Sequence, residues 1–375
     1  MMRVNLGDVA KESRETINGS KNGLPIVGLE HLTPGEITLT EWDIDCDNTF
    51  TKVFRKGQIL FGRRRAYLKK AAVAPFNGIC SGDITLIEVL PDKLLPELLP
   101  FIIQNDTFFD YAVGKSAGSL SPRAKWEHLS EFEFTLPPLA EQRKLADLFW
   151  AANFARETYK KLLAATDALV KSRFVEMFGD VFYGSEKYEK APITTLIDEN
   201  IDRVGKVYNS ADIIKYIDIS SIDNLQSEIV QYKDYSVEFA PSRAQQVVRQ
   251  GDVLISTVRP NLKNVSIIRD GYENLVASTG FCVLRPSYKS NAEYIFAVVG
   301  SNEFAEYLAR RAKGANYPAV NGSDIKEFMI PLPPLDLQNR FADFVRQTDK
   351  SKFELQRTID ELEATYKSLL RENLG

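Results

Sequence analysis

A short proline-rich stretch occurs twice in this chain and sets its organisation. The first copy reads Leu-Pro-Pro-Leu-Ala-Glu-Gln over residues 136–142, and the second reads Leu-Pro-Pro-Leu-Asp-Leu-Gln over residues 332–338. Glycine and proline are then absent from residues 139–178 and from residues 335–374. Proline is tolerated before a helix or in its first turn, where its missing N–H has no intrahelical partner. The sequence therefore predicts long helices over residues 139–178 and 335–375, each behind a globular segment.

The two globular segments, residues 1–138 and 179–334, share a residue pattern. The matched positions are Gly57 with Gly251, Ile59 with Val253, Arg65 with Arg259, Leu68 with Leu262, and Lys69 with Lys263. Such an internal duplication predicts an α+β protein, in which two α/β domains related by a pseudo-twofold axis are separated by two long helices. The first helix leads into the second domain and the second helix leaves it. Helices connected in this way run antiparallel if they pack as a coiled coil.

Apolar residues recur along both predicted helices at alternating spacings of three and four residues, which is typical of a coiled-coil seam. We expect the contact seam to be formed by Leu145, Leu148, Tyr159, Leu162 and Leu169 in the first helix, and by Leu355, Ile359, Leu362, Tyr366 and Leu369 in the second.

The composition argues against several kinds of site. Three scattered cysteines and two histidines predict neither a metal centre nor disulfide bonds, and favour a reducing cytoplasm. The N-terminus lacks the apolar core of a signal peptide, and no apolar run is long enough to span a membrane. The sequence carries no nucleotide-binding, methyl-donor or nuclease motif. The net charge of −4 means that nucleic-acid binding must depend on local basic patches.

Two basic loops in each globular segment are the candidate patches. Arginine can donate two hydrogen bonds to guanine, asparagine can pair with adenine, and lysine or serine can contact phosphates. The alternative is that these loops are merely solvated connections. The candidate DNA-binding residues are Arg63, Arg64, Arg65, Lys69, Lys70, Lys115, Ser116, Ser119, Ser121 and Arg123 in the first segment, and Arg259, Asn261, Lys263, Arg311, Lys313, Asn316 and Tyr317 in the second.

The chain resembles a Type I restriction–modification specificity subunit. The resemblance rests on the repeated proline–glutamine stretch, the long helices and the sequence Ser-Arg-Phe-Val-Glu-Met-Phe-Gly-Asp over residues 172–180. The second copy departs from the usual pattern, since Asp336 and Leu337 replace the alanine and the glutamate. The resemblance implies two target recognition domains, each reading half of a split site in double-stranded DNA, with the helices setting the spacer.

The same resemblance implies partners that carry the chemistry. These are two methyltransferase subunits that modify adenine and restriction subunits that translocate DNA, with S-adenosylmethionine, ATP and Mg²⁺ bound by those partners and none by this chain. The chain itself is then not an enzyme. Two other hypotheses remain: a coiled-coil adaptor that binds proteins rather than DNA, and a stand-alone nuclease or methyltransferase, which the missing motifs disfavour.

Overall fold

The computed structural model describes residues 2–90, 92–118, 120–181, 187–224, 227–314 and 317–374. The chain forms two compact units. The first unit comprises Met1–Leu162 with Leu355–Gly375, and the second unit comprises Leu163–Glu354. Each long helix therefore contributes one part of its length to each unit.

The globular part of the first unit is built on two four-stranded sheets. Its strands are β1 (Met2–Asn5), β2 (Ala10–Ser13), β3 (Pro25–Val27), β4 (Asp43–Ile44), β5 (Lys52–Phe54), β6 (Ile59–Gly62), β7 (Ala71–Val73), β8 (Gly78–Cys80), β9 (Ile84–Val89) and β10 (Glu133–Leu136). Its helices are α1 (Leu6–Val9), α2 (Leu99–Ile103), α3 (Asp106–Gly114) and α4 (Trp126–Leu129), followed by the long helix α5 (Leu139–Phe178). The sheet orders are β2-β9-β6-β7 and β4-β3-β8-β5, and β1 pairs with β10.

The second unit repeats this topology strand for strand. Its strands are β11 (Lys190–Pro192), β12 (Ile197–Asp198), β13 (Ile213–Ile217), β14 (Ile222–Asp223), β15 (Glu228–Ile229), β16 (Lys233–Ser236), β17 (Ala244–Val247), β18 (Val253–Ser256), β19 (Val265–Ile267), β20 (Leu275–Ser278), β21 (Phe281–Pro286) and β22 (Met329–Pro331). Its helices are α6 (Val204–Val207), α7 (Ala292–Val299), α8 (Asn302–Arg311), α9 (Gly322–Lys326) and the long α10 (Leu335–Leu374). The orders β12-β21-β18-β19 and β16-β13-β20-β17 match those of the first unit, and β11 pairs with β22. The hairpin β14-β15 is the addition.

Strand β6 is buried along its whole length because its two faces pack on different cores. Ile59 and Phe61 point into a core with the helices α2 and α3, whereas Leu60 packs with Phe54 in the other core. Successive side chains of a strand point to opposite faces, so a strand buried on both faces is apolar without alternation. The strand β18 is built in the same way, and both strands end directly before a basic loop.

Helix α5 packs on α10 within each unit. In the first unit the Phe149 ring lies 5.9 Å from the Tyr366 ring. In the second unit the Phe178 ring lies 5.4 Å from the Phe341 ring, and an ion pair joins Asp167 to Lys352. Within the second unit, the later residue of α5 thus meets the earlier residue of α10, so the two helices run antiparallel there. The α+β fold with two domains and a helical coiled coil is confirmed.

The seam predicted for α5 requires a correction. Leu148, Leu162 and Leu169 are exposed by 45%, 49% and 53%, while Leu145 and Tyr159 are half-buried. Ala146 and Phe149, each one position after a predicted seam residue, are buried instead. They lie on one helix face with the other buried residues of the first unit's part of α5, which are Gln142, Asn153 and Arg156. One residue rotates a helix face by about 100°.

The buried face of α5 is chosen by the side chains that its own globular part offers. Phe149 packs on Phe101, and the Arg156 guanidinium donates to the Gly35 carbonyl at 2.6 Å and to Asn153 Oδ1 at 3.1 Å. Shape and hydrogen bonding, which leucine spacing does not encode, therefore decide the face. On α10 the predicted residues do lie on the packed side, with Ile359 buried and Leu355, Leu362, Tyr366 and Leu369 half-buried.

Candidate nucleic-acid interface

The loop that follows β6 contains two strained residues, and its counterpart after β18 contains two more. Arg65 and Lys69 have φ of 55° and 51° and flank a short 3-10 turn, and Arg259 and Lys263 have φ of 49° and 50° around the equivalent turn. These four are among the six non-glycine residues with positive φ in the described ranges. Left-handed backbone is unfavourable for residues with a side chain and tends to be retained at functional sites. The duplicated strain therefore marks equivalent sites in the two units.

Backbone hydrogen bonds join the two basic loops of each unit into one surface. In the first unit, the Arg65 N–H donates to the Pro122 carbonyl at 2.8 Å, and the Ala124 N–H donates to the Arg63 carbonyl at 2.9 Å. In the second unit, the Arg259 N–H donates to the Pro318 carbonyl at 2.7 Å. Among the described residues, the predicted segment 63–70 thus lies against the end of the predicted segment 115–123, and the predicted turn 259–263 lies against Pro318, the residue after Tyr317. We call the resulting areas the first and the second basic surface.

A carboxylate organises the first basic surface. Asp83 accepts from Arg123 Nε at 2.7 Å and from Arg123 Nη2 at 3.3 Å, and it lies 3.6 Å from Arg64 Nη1. Arg64 Nε also donates to Ser121 Oγ at 2.9 Å. The hydrogen bond from Arg123, with the charges of Arg64 and Arg63, holds the pKa of Asp83 below its usual value. Asp83 is therefore ionised at neutral pH, and it fixes two guanidinium groups.

Several predicted residues are engaged by the fold itself. Lys70 Nζ donates to the Leu29 carbonyl at 2.6 Å, and Ser116 Oγ donates to the Ala112 carbonyl at 2.8 Å. Lys115 lies 3.8 Å from a carboxylate oxygen of Glu131. These contacts give Lys70, Ser116 and Lys115 structural roles beside any role in binding.

The lysines that end the strained turns are held by equivalent residues of different charge. Lys69 Nζ pairs with Asp106 Oδ1 at 2.6 Å in the first unit, whereas Lys263 Nζ donates to Asn302 Oδ1 at 2.7 Å in the second. The first lysine is neutralised by its partner and the second is not. The second surface therefore keeps more of its positive charge at this position.

Aromatic rings organise the second basic surface. The Arg259 guanidinium lies 4.8 Å from the centre of the exposed Tyr317 ring, and the Arg311 guanidinium lies 3.8 Å from the centre of the Tyr307 ring. Stacking of this kind orients a guanidinium without neutralising it. Asn261 is exposed on the same turn, and the backbone of Lys313 exchanges two hydrogen bonds with that of Ala319.

Sequence reasoning missed Asp83, Asp106 and Asn302. Asp83 directly precedes β9, and its partner Arg123 lies 40 residues away in the chain. Only the fold brings them together. Of the predicted residues, Ser119 and Asn316 lie outside the described residues.

Neither metal chemistry nor a membrane-spanning helix is indicated by the described part of the chain. Among those residues, no group of three or more histidine, cysteine, aspartate or glutamate side chains is arranged to hold a metal ion. Within the same ranges, no helix combines the length and the apolarity needed to cross a bilayer.

Comparisons with known proteins agree on one family. Residues 199–364 match the family described as the Type I restriction modification DNA specificity domain. The HindI specificity subunit of a Type I restriction enzyme from Haemophilus influenzae is 24% identical over 146 residues, which are 38% of this chain and 32% of that protein. The putative type I restriction enzyme MjaX specificity subunit of Methanocaldococcus jannaschii is 22% identical over 364 residues, covering 88% of this chain and 82% of the relative.

The match to H. influenzae thus spans about a third of that relative's length. A solved Type-I restriction-modification S subunit from M. genitalium has the same fold, with a TM-score of 0.60 at 12% identity over 100% of this chain and 96% of that one. None of these comparisons points to a protein-binding adaptor. Residues 199–364 thus match the Type I restriction modification DNA specificity domain, and the whole chain is similar in sequence and fold to Type I restriction–modification specificity subunits.

Proposed function

We propose that this chain reads DNA for a Type I restriction–modification complex. Each unit binds one half of a bipartite site in double-stranded DNA through its basic surface. The observation that carries this proposal is the duplicated strained turn, which presents Arg65 and Lys69 in one unit and Arg259 and Lys263 in the other. A positive surface on each unit supplies phosphate contacts even though the net charge of the chain is −4.

The chemistry belongs to partner subunits in this proposal. Two methyltransferase subunits modify adenine with S-adenosylmethionine, and restriction subunits use ATP and Mg²⁺, while this chain is not catalytic and works in the cytoplasm beside the genome. The support is the match of residues 199–364 to the DNA specificity domain and the similarity to relatives that are called specificity subunits of restriction enzymes. A methyltransferase must flip its target base out of the duplex. A separate subunit that binds the flanking sequence can position the methyltransferase over that base.

The long helices set the spacer between the two half-sites. Both α5 and α10 run unbroken for 40 residues, from Leu139 to Phe178 and from Leu335 to Leu374. Deletion of one heptad from each helix shortens them by roughly 10.5 Å, or about three base pairs. The expected result is a methylated site with a shorter spacer and unchanged half-sites.

Sequencing of methylated adenines in the source genome tests the function directly. Deletion of the gene is expected to abolish methylation at one bipartite motif. Arg65→Ala is expected to change only one half of that motif, and Arg259→Ala only the other half. Loss of no motif on deletion would show that the chain directs no methylation, and would favour the adaptor hypothesis.

A further inference from the structure

Asp83 lies in a group of three arginines whose charge it cannot balance. Arg123 and Arg64 lie within 2.7 and 3.6 Å of its carboxylate oxygens, and the charge of Arg63 also lowers its pKa. Both Arg64 and Arg123 are partly exposed, with side chains 41% and 44% accessible. Three positive charges with one negative charge leave an attractive site for acceptor groups of DNA.

The contacts with Asp83 leave donors free on the guanidinium of Arg123. Asp83 occupies one hydrogen of Nε and one of Nη2. A guanidinium carries five N–H donors, so the end formed by Nη1 and Nη2 still carries three. Two parallel donors match the O6 and N7 acceptors of guanine in the major groove. Because Asp83 already fixes the plane of the group, less side-chain entropy is lost when a base is bound.

The second unit keeps the backbone of this site but not its side chains. The Arg63 N–H donates to the Asp83 carbonyl at 3.0 Å, and the Thr257 N–H donates to the Gly280 carbonyl at 2.9 Å. Gly280 thus stands in the place of Asp83. Arg123 forms β-bridges with Arg64 and Ala117 in the first unit. Ala319 forms the equivalent β-bridges with Val258 and Lys313 in the second unit, so it occupies the position of Arg123.

This difference separates the roles of backbone and side chains. A carboxylate needed only to hold the fold would be needed in both units, because both make the same backbone bonds. The first unit instead has an arginine pair fixed by Asp83, and the second has arginines stacked on Tyr307 and Tyr317. The side chains differ where two half-sites of different sequence would be read.

We propose that Asp83 is a positioning residue that aligns Arg123, together with Arg64, to select a guanine in the half-site bound by the first unit. The inference rests on the proposed function and names part of its specificity. The second unit reads its half-site without an equivalent carboxylate.

The test uses the full complex of this chain with its methyltransferase partners and a library in which both half-sites are randomised. Asp83→Asn keeps the size of the side chain and removes the charge that orients the guanidinium groups. The preference for G·C at one position of one half-site is expected to fall roughly 10- to 100-fold, with the other half-site unchanged. Asp110→Asn is the matched control, because it removes one exposed carboxylate from α3 of the same unit, and it should leave that preference intact.

Arg123→Lys provides a second variant that keeps the positive charge and removes the two-donor fork. It is expected to lose the same guanine preference, while a phosphate contact would survive the change and leave every base preference as it was. The inference would be overturned if Asp83→Asn weakened methylation uniformly at all sites, or if Arg123→Lys left the guanine preference unchanged. A wild-type complex that methylates a motif lacking an invariant G·C pair in that half-site would overturn it while leaving the proposed function standing. A wild-type complex that methylates no motif would overturn both the inference and the proposed function.

Discussion

Gln142 and Gln338 make the same three hydrogen bonds, each within its own unit. Gln142 Oε1 accepts from the Leu95 N–H at 2.9 Å, and its Nε2 donates to the Pro137 and Lys93 carbonyls at 2.9 and 3.2 Å. Gln338 makes the equivalent bonds to the Asn291 N–H and to the Pro333 and Lys289 carbonyls, at 2.9, 2.9 and 3.3 Å. Both side chains are buried. The glutamine is therefore the residue of the repeated stretch that ties the proline segment to the globular part.

Replacing either glutamine with alanine is expected to destabilise the unit that contains it. Gln142→Ala leaves a buried N–H and two carbonyls without their partner, and we expect a loss of about 1–3 kcal/mol. All three tryptophans, Trp42, Trp126 and Trp150, belong to the first unit. Urea unfolding followed by tryptophan fluorescence should therefore shift for Gln142→Ala, while Gln338→Ala should shift the transition followed by circular dichroism.

The exposed Gln347 of α10 supplies the control for these variants. Gln347→Ala is expected to change the free energy of unfolding by less than about 0.5 kcal/mol. If Gln142→Ala is as stable as Gln347→Ala, the amide contacts do not hold the helix to the globular part.

A buried ion pair in the second unit offers another stability test. Arg285 donates from Nε and Nη2 to the two carboxylate oxygens of Asp252 at 2.9 and 2.8 Å, and both side chains are buried. Removal of one partner leaves an uncompensated buried charge, so Asp252→Ala is expected to cost about 3–5 kcal/mol. Chemical unfolding followed by circular dichroism measures the loss.

The first unit provides a matched variant, because Gln58 stands where Asp252 stands in the second. Gln58 Nε2 donates to Glu88 Oε2 at 2.7 Å, and Glu88 also pairs with Lys11. Gln58→Ala leaves Glu88 with that partner near the surface, and a cost of about 1 kcal/mol is expected. Equal losses for Asp252→Ala and Gln58→Ala would show that burial of the ion pair has no special effect.

Local sequence predicted the elements better than the contacts between them. The proline stretches and the absence of helix breakers predicted α5 and α10, and the duplication predicted matching basic turns. The helices α2 and α3 are separate elements because the Asn105 side chain accepts from the Thr107 N–H and starts a new helix. The buried face of α5 and the grouping of Asp83 with Arg123 depend on residues distant in sequence, which no periodicity reports.

The strained turns predict an unusual response to glycine. Glycine adopts positive φ readily, whereas a residue with a side chain does so at a cost of about 1 kcal/mol or more. Arg65→Gly is therefore expected to keep or raise the melting temperature while weakening DNA binding by the complex. Lys56→Gly, in a loop without positive φ at that residue, is the control and should lower stability slightly. A clear loss of stability in Arg65→Gly would mean that its side chain holds the fold.

The three cysteines are expected to differ in reactivity because the fold buries two of them. Burial raises the pKa of Cys80 to about 12 and that of Cys282 to about 11, so both remain neutral thiols from pH 7 to 9. Cys46 is exposed, and its pKa is raised by partial desolvation and then by the neighbouring Asp43 carboxylate. A thiol-reactive dye should therefore label one of three cysteines in the native chain, faster as the pH rises from 7 to 9 because the thiolate is the reactive form. Cys46→Ser should abolish this native labelling, and denaturant should expose the other two thiols. Rapid labelling of a second native cysteine at pH 8 would contradict the burial of Cys80 or Cys282, which line the sheet cores on which the basic turns are mounted.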